Sequence, residues 1–441
     1  MLKRILTGYV RIPLVTRLLL AFILGSGLGL LSWYAEFLSS GDMALFLKTW
    51  IAPFGNVFIQ MLKMVVIPIV FFSLIQGASQ LPMAKLGKVG FRLVMLYLGS
   101  SFLAALVGIG FALLMNPGAG SHQQWLGMAD TEHAREIVGH SSQVGQGLME
   151  ILMGMFQNPF SALANSEFLA IIVFAILTGL AMSSLRDEEK RESSCFKGLE
   201  AIDCGIEAIN KALYKLVNWI MEYAPVGVLA LSVVNFGLYG PSIVGPYLKV
   251  VSGIILGIFF MIFVVYGFLI KFVAKTSPLE FFKCIKEPML TAFVTRSSSA
   301  ALPVSMDAAI NRLKVQKEVA SFALPMGATI NMDGVCVHLP MFAVLAANLF
   351  QLPMGPSELF VLVISTVLAA IGTGGVPGGS LMLLFIVLGS LGLSDQNTAI
   401  VVSLALGVNP ILDMFETMNN VTGDIMCTYL VGRDKSHNGI G

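Results

Sequence analysis

Long apolar runs, separated by short polar connections, extend along almost the whole chain. The eight longest runs lie at about residues 12–36, 52–78, 88–115, 162–185, 199–233, 243–273, 318–350 and 395–432. Each run is long enough to cross the ~30 Å hydrocarbon layer of a bilayer as an α-helix, and the runs lack the strict alternation of a membrane β-strand. The pattern therefore predicts an all-α polytopic membrane protein with eight transmembrane helices.

Two further apolar segments, 278–308 and 356–393, are each interrupted at their centre. In each, two short apolar arms meet at small or helix-breaking residues, "TRSSSAALP" in the first and "GTGGVPGGS" in the second. Unwound backbone at membrane depth is tolerated only where protein buries it or where it lines a cavity. The segments are interpreted as two re-entrant helical hairpins, although small residues can also serve only for close helix packing. The order hairpin, helix, hairpin, helix further predicts inverted repeats, as secondary transporters use to build a central site.

Composition excludes an ordinary soluble domain. Hydrophobic residues make up 56% of the 441 residues and charged residues 12%, against roughly 25% charged in soluble domains. The net charge of +1 says nothing about partners, and no nucleic-acid partner is expected. The five cysteines have no paired spacing, so neither a disulfide nor a metal framework is expected.

The distribution of charge predicts the orientation in the membrane. Basic residues cluster before the first run, beside the second connection and near the C-terminus, which favours cytoplasmic N- and C-termini. They include Lys3, Arg4, Arg11, Arg17, Lys85, Lys88, Arg92, Arg186, Lys190, Arg191, Arg433 and Lys435. The connection 117–158 instead carries four acidic residues against Arg135 and is expected to face outside.

The last apolar run contains an unusual stripe of polar residues. In "NPILDMFETMNNVTGD", the offsets of three, four, seven and eleven from Asp413 place Glu416, Thr417, Asn420 and Asp424 along one face of a helix. Ionisable groups inside a membrane are costly, and a functional site is the default explanation for them. The alternative is a buried network that only holds helices together.

A second polar group lies in the seventh run, where Gly327 and Gly334 flank Asn331 and Asp333. The glycines favour local unwinding, which would free backbone carbonyls. Carboxylate, amide and carbonyl oxygens suit a hard cation, and the absence of converging His and Cys argues against zinc or copper. Na⁺ is the natural candidate, because a bound cation would offset the cost of burying an ionised Asp333.

These motifs together resemble the dicarboxylate/amino acid:cation symporter family, the glutamate and aspartate transporter homologues. The "RSSS" tip, the "NMDG" segment, the "GTGGVPG" tip and the final "DMFETMNNVTGD" pattern occur in the family's order over nearly the whole chain. The resemblance implies a sodium-coupled symporter in the bacterial inner membrane, with no enzymatic activity. It also implies a homotrimer, in contact with membrane lipids, whose transport domains move like elevators against a scaffold.

The resemblance also implies how the chain is divided. Residues 1–87 would form scaffold helices 1 and 2, residues 88–116 helix 3 of the transport domain, and residues 117–158 an extracellular loop. Residues 159–240 would form scaffold helices 4 and 5. Residues 241–441 would form the rest of the transport domain, with helix 6, hairpin 1, helix 7, hairpin 2 and helix 8.

Carried over residue by residue, the family pattern implies a site for an amino acid zwitterion. Asp413 would accept the substrate's α-ammonium with Thr417 nearby, while Asn420 and Ser298 would bind its α-carboxylate. Gly375 and Val376, at the second tip, would cover the substrate as an extracellular gate. The remaining implied substrate residues are Arg296, Ser297, Met332, Val335, Ser380 and Glu416.

The same resemblance implies two to three Na⁺ ions and no organic cofactor. The first ion would use Asp424 and Asn420 with carbonyls of Gly327 and Asn331. The other two sites would be formed by carbonyls around Thr329, Ala370, Ile371 and Thr373, and by Tyr97, Ser100, Ser101, Asn331 and Asp333. Taken alone, Ser100 and Ser101 would be interpreted as bonded back to their own helix.

Two positions depart from the pattern of acidic-substrate transporters. Glu416 stands where those proteins carry an Arg for the side-chain carboxylate, and Val335 stands where they carry a Thr. Two facing carboxylates repel in a poorly screened site, so a small neutral substrate such as serine, threonine or alanine is expected. Cationic or acidic amino acids remain alternatives, as does an ion channel.

The sequence leaves the partner of Glu416 open. Glu416 is expected to accept a hydrogen bond from a substrate hydroxyl or to pair with Arg296, which can instead pair with Asp413. A serine-nucleophile enzyme using Ser297, Ser298 or Ser299 is disfavoured, because no His lies in the hairpins or the last run. His338 is interpreted as an isolated packing residue.

Overall fold

A computed structural model describes residues 12–39, 43–79, 87–120, 153–165, 167–189, 193–371 and 378–433. Within these ranges the regular structure is helical, apart from a single bridge between Val315 and Arg433. The main helices are α1 (Leu14–Ser39), α2 (Ala52–Ser79), α3 (Gly87–Met115), α4 (Phe168–Glu188), α5 (Ser194–Tyr239), α6 (Val244–Phe260), α7 (Pro278–Thr295), α8 (Ser298–Asp307), α9 (Lys317–Ile330), α10 (Asp333–Phe350), α11 (Pro356–Ala370), α12 (Gly379–Ser390) and α13 (Asp395–Gly432).

The helices follow the apolar runs closely. In the described part of the chain, seven continuous helical stretches are long and apolar enough to cross a membrane. One of them, Ser194–Val273, is 80 residues long and contains both the fifth and the sixth predicted runs. The chain turns between these two runs in a 3₁₀ segment, Gly240–Ile243, that begins at a glycine with φ of 57°. A positive φ is easily adopted only by glycine, which explains why the helix is interrupted there.

The two interrupted segments each form a pair of short helices. Helices α7 and α8 meet at Arg296 and Ser297, while α11 and α12 flank residues 371–378, of which 372–377 lie outside the described residues. The members of each pair pack against each other. Arg296 ends α7 in the left-handed conformation with φ of 54°, and the Ser297 hydroxyl caps α8 by accepting from the Ala300 amide at 3.2 Å. With 15 and 12 residues, α11 and α12 are too short to cross a bilayer alone.

The seventh predicted run is divided into α9 and α10 by Asn331 and Met332, where local unwinding was expected. Helix α10 lies at the centre of the protein, packed against α3, α6, α11, α12 and α13, and Asn348 alone among its 18 residues is not buried. Its first residue, Asp333, is therefore enclosed by protein.

A second set of helices packs together through glycines. Helix α5 lies along α1 and α2, and α2 lies along α4. A Cβ atom on Gly29 of α1 would come within 2.7 Å of the Phe236 Cβ atom, and one on Gly227 within 2.6 Å of the Phe58 Cβ atom. Small residues allow helix backbones to approach closely in membranes, so these glycines set the spacing of α1, α2 and α5.

Candidate functional site

The break between α9 and α10 exposes backbone groups that a continuous helix would satisfy. Helix ends leave amides and carbonyls without intrahelical partners. One of these groups, the Gly334 amide, donates to Asn420 Oδ1 of α13 at 2.7 Å, and Asn420 Nδ2 lies 3.3 Å from Met332 Sδ. The Asn420 side chain thus fixes the broken segment against the last helix.

Asp333 is bound by three neutral hydroxyl groups. Its Oδ1 atom accepts from Ser101 at 2.8 Å and lies 3.2 Å from the Ser100 hydroxyl oxygen, and its Oδ2 atom accepts from Tyr266 at 2.6 Å. The side chain has no exposed surface, and no cationic side chain pairs with it among the residues that the structure describes. A buried carboxylate with only neutral donors is a strong candidate for binding a cation.

Asp424 joins the same network through Asn331. Asn331 Nδ2 donates to Asp424 Oδ1 at 2.9 Å, while Asn331 Oδ1 accepts from Ser100 at 3.0 Å. The two buried carboxylates of Asp333 and Asp424 are therefore connected through one amide and one hydroxyl. Carboxylate, amide and hydroxyl oxygens of this kind fit a hard cation.

Two glycines provide the space for this network. A Cβ atom on Gly327 would lie 2.7 Å from Asp424 Oδ1 and 2.8 Å from the Tyr97 hydroxyl. A Cβ atom on Gly423 would lie 2.8 Å from the Tyr266 hydroxyl and 2.9 Å from Asp333 Oδ2. Contacts under 3.0 Å force a shift, so any side chain at either position would displace the acidic groups.

The other residues expected at ion sites bond to backbone carbonyls or lie at a helix end. The Tyr97 hydroxyl is buried and donates to the Ala323 carbonyl at 2.9 Å, and the Thr329 hydroxyl donates to the Pro325 carbonyl at 3.2 Å. Ala370 and Ile371 are at the end of α11. Thr373 lies outside the described residues.

Asp413 of α13 is contacted by one residue from each pair of short helices, α7–α8 and α11–α12. Its Oδ2 atom accepts from the Gly378 amide at 3.1 Å, and Arg296 Nη1 is 3.6 Å from the same oxygen. Arg296 therefore pairs with Asp413, which decides between the two partners that the sequence left open. The backbone amide before α12 and the guanidinium after α7 thus converge on one carboxylate.

The remaining described substrate candidates are bonded within the protein or buried. The Thr417 hydroxyl donates to the Asp413 backbone carbonyl at 2.7 Å, and the Ser380 hydroxyl donates to Asn409 Oδ1 at 3.3 Å. Ser298, Met332 and Val335 are buried. Gly375 and Val376 lie outside the described residues.

Glu416 pairs with His338, not with Arg296. His338 Nδ1 is 2.5 Å from Glu416 Oε1, and the side chains are 0% and 1% exposed. The interpretation of His338 as an isolated packing residue is therefore wrong. The pairing was missed because the two residues are 78 positions apart in sequence and meet only through the packing of α10 on α13.

Tyr266 and Gly423 were also missed by sequence reasoning. Tyr266 is the one polar side chain in the apolar stretch "FFMIFVVYGFL", and a buried tyrosine hydroxyl usually finds a partner. The role of Tyr266 could therefore have been predicted from the sequence. The role of Gly423 could not have been predicted, because it depends on the position of Tyr266 across the site.

A helical membrane protein with broken helices around buried acidic groups has the features of a secondary transporter. The chain belongs to the Sodium:dicarboxylate symporter family, whose sequence model matches residues 14–434.

Several named relatives are similar to this chain over most of its length. A proton/glutamate-aspartate symporter of Bacillus subtilis is 30% identical over 382 residues, which cover 86% of this chain and 88% of the relative. The serine/threonine transporter SstT of Bifidobacterium adolescentis is 30% identical over 379 residues, covering 86% and 82%. Neutral amino acid transporter A of Bos taurus is 27% identical over 430 residues, covering 86% and 75%. These relatives are transporters, and they differ in the amino acids that their names give.

Proposed function

We propose that the protein is a sodium-coupled symporter that imports small neutral amino acids of the serine, threonine and alanine type. The observation that carries this proposal is the buried network of Asp333, Asn331 and Asp424, whose hydrogen-bond donors are all neutral. Two carboxylates in one low-dielectric network repel each other unless protons or cations reduce their charge. Sodium ions would supply the positive charge that offsets the two carboxylates, and the family description supports sodium as the ion.

Two to three Na⁺ ions are assigned to the region of the α9–α10 break. Asp333 with Ser100 and Ser101 forms one group of oxygens, and Asp424 with Asn420 and the backbone near Gly327 forms another. We assign the third group to the carbonyls around Thr329, Ala370, Ile371 and Thr373, of which Thr373 lies outside the described residues. Carbonyl oxygens freed at helix ends are suited to coordinate Na⁺ in transporters.

Asp413 is the proposed partner of the substrate ammonium group. It carries the carboxylate on which both hairpins converge, so an ammonium group bound there would bring the Gly378 amide and Arg296 close to the substrate. Ser298, at the first turn of α8, and Asn420 are assigned to the α-carboxylate, which helix N-termini and amide donors stabilise. We assign Ser297 and Met332 to the same substrate site, and we assign its cover to Gly375 and Val376, which lie outside the described residues.

Asn420 supplies the link between ion and substrate binding. It contacts the broken segment through Gly334 and Met332, and the same segment carries Asn331 and Asp333. An ion that orders the break therefore also orders a group assigned to the substrate. Coupling of this kind is reciprocal, so substrate must raise the affinity for sodium by the same factor.

The neutral side chain of the substrate is inferred from Glu416 and Val335. Glu416 is an acid one helical turn from Asp413, and Val335 offers no hydrogen bond, so a substrate carboxylate would find no complementary group there. Similarity to the serine/threonine and neutral amino acid transporters supports this choice. Similarity to glutamate and aspartate symporters makes acidic amino acids the second candidate, and the carboxylate of Glu416 is the feature that disfavours them.

The family architecture completes the proposal. We assign α1, α2, α4 and α5 to a scaffold and α3 with α6 to α13 to an elevator-like transport domain that contains two inverted repeats and two re-entrant hairpins. The separate packing of α5 with α1 and α2, and of α10 with α3 and α13, supports this division. Exposed apolar side chains on α1, such as Ile23, Leu24 and Leu31, support contact with lipid. We assign a homotrimer in the bacterial inner membrane with cytoplasmic termini, and the family membership and the charge distribution support this assignment.

Uptake by reconstituted protein tests the proposal. Proteoliposomes are given labelled serine under an inward Na⁺ gradient, under an equal K⁺ gradient, and with equal Na⁺ on both sides. Saturable accumulation above the external concentration with the Na⁺ gradient alone is expected. Accumulation that is the same under all three conditions would overturn sodium coupling, and uptake that only equilibrates without saturation would favour a channel.

A further inference from the structure

We infer that His338 determines substrate specificity by holding Glu416 in position to accept a hydrogen bond from a side-chain hydroxyl. The pair would make the transporter prefer serine and threonine over substrates of the same size that lack the hydroxyl. This inference rests on the proposed function, because it assigns the substrate class within the same site. His338 is a positioning residue in this scheme, and Glu416 is the residue that touches the substrate.

The orientation of Glu416 is fixed by its contact with His338. A distance of 2.5 Å between His338 Nδ1 and Glu416 Oε1 requires a hydrogen between the two atoms, because two unprotonated atoms would repel at that separation. The His338 ring also packs on Phe342, one turn further along α10, with 4.9 Å between ring centroids. Both contacts restrict the imidazole, which in turn restricts the carboxylate.

Close packing of α10 on α13 makes this contact possible. Gly334 lies one turn before His338, and a Cβ atom at Gly334 would overlap the backbone of Glu416. Only glycine permits the two helices to approach so closely there. The His338 side chain consequently reaches Glu416 directly.

We assign the second oxygen of Glu416 as the acceptor for the hydroxyl group of the substrate. Glu416 Oε2 is buried and has no hydrogen-bond partner in the part of the chain that the structure describes. A buried acceptor without a partner is costly, and a ligand that supplies a donor removes the cost. A hydroxyl group supplies such a donor, whereas a methyl group does not.

The position of Glu416 relative to Asp413 suits a short hydroxylated side chain. The two residues are three apart on α13, so their side chains are neighbours on one helix face, with about 5–6 Å between Cβ atoms. In serine and threonine the hydroxyl is two bonds from the α-carbon that carries the ammonium group. With the ammonium at Asp413, the hydroxyl is directed to the next turn of the helix. Arg296 does not compete for Glu416, because it pairs with Asp413.

The test compares pairs of amino acids that differ by one hydroxyl. Sodium-driven uptake of serine, alanine, threonine and 2-aminobutyrate is measured for wild type, His338→Phe, His338→Asn and His338→Gln. His338→Phe keeps a ring against Phe342 without a donor. The Asn amide places its nitrogen close to the position of Nδ1, whereas the Gln amide reaches one bond further.

In wild type we expect the KM of serine to be at least about tenfold below that of alanine, because a site built to bind a hydroxyl rejects the analogue without it. His338→Phe should raise the KM of serine more than that of alanine, until the two values are within about threefold, and His338→Asn should restore most of the preference. Alanine uptake that persists with an unchanged serine preference in His338→Phe would overturn the inference. If His338→Phe loses all uptake, the comparison of Asn with Gln decides: equal preference in both overturns the inference, and preference retained only by Asn supports it. A wild type that accumulates no neutral amino acid would instead contradict the proposed function itself.

Discussion

Asn331 Nδ2 donates to Asp424 Oδ1 at 2.9 Å across 93 positions of sequence, and this bond joins the α9–α10 break to the last helix, as do the contacts of Asn420. The other end of the Asn331 amide accepts from Ser100 of α3 at 3.0 Å. Three helices are thus held by one side chain that lies between two acids. An ion bound at either acid must affect the other through this amide.

Asp424→Asn removes one of the two charges and keeps the shape of the side chain. We expect the Na⁺ concentration for half-maximal serine uptake to rise by on the order of tenfold or more, because a buried cation loses its anionic partner. Thr422→Val is the matched control, since the Thr422 hydroxyl is buried on the same helix and, among the described residues, bonds to the Met418 carbonyl at 2.7 Å and to no acidic group. An unchanged sodium dependence in Asp424→Asn, measured as initial uptake rates, would remove Asp424 from the ion site.

Gly327→Ala tests whether the space beside Asp424 is required. The added methyl group would lie 2.7 Å from Asp424 Oδ1, so we expect a large loss of sodium affinity, with little change in the amount of folded protein in the membrane. Gly99→Ala on α3 is the control, because no atom of the part of the chain that the structure describes lies within 4 Å of a Cβ atom there. Equal sodium affinity in the two variants would show that the site tolerates the methyl group.

Asp413→Asn should abolish serine binding and leave Na⁺ binding intact. Losing the carboxylate removes the partner of the substrate ammonium but leaves Asp333, Asn331 and Asp424 intact. Thermal unfolding of the purified variant should still shift upward with Na⁺ and should no longer shift with serine, because only ligands that bind the folded state raise the melting temperature. A serine-induced shift equal to that of wild type would exclude Asp413 as the ammonium partner.

Glu416→Arg should change the preferred charge of the substrate. A cation at this position would attract the side-chain carboxylate of aspartate, so aspartate should compete with labelled substrate more strongly than it does in wild type. Glu416→Gln, which only removes the charge, should give an intermediate result. Strong aspartate competition in wild type that disappears in Glu416→Arg would reverse the specificity assignment.

The apolar pattern predicted the helices well because each crosses an environment that only a continuous hydrophobic helix satisfies. The predicted runs at 52–78, 88–115 and 395–432 correspond to Ala52–Ser79, Gly87–Met115 and Asp395–Gly432. Local breaks were also predictable where glycine or polar residues interrupt a run, as at Asn331 and at the tip before Ser298. The turn at Gly240 depends on the positive φ of that glycine, and hydropathy alone did not predict it.

Side-chain pairing was much harder to predict than helix position. The stripe from Asp413 to Asp424 was visible because its residues share one helix and one period. The contacts from Tyr266 to Asp333 and from His338 to Glu416 join different helices, and their partners depend on how those helices rotate and cross. Sequence spacing within one helix carries no information on that rotation.

The central claim is that the buried acids bind sodium together with the amino acid. It is tested most directly by calorimetric titration of serine into the purified protein at a series of Na⁺ concentrations, with choline keeping the ionic strength constant. By linkage, the affinity for serine should rise steeply with Na⁺, and Asp333→Asn combined with Asp424→Asn should abolish that dependence. Serine binding with one affinity at every Na⁺ concentration in the wild type would contradict the claim.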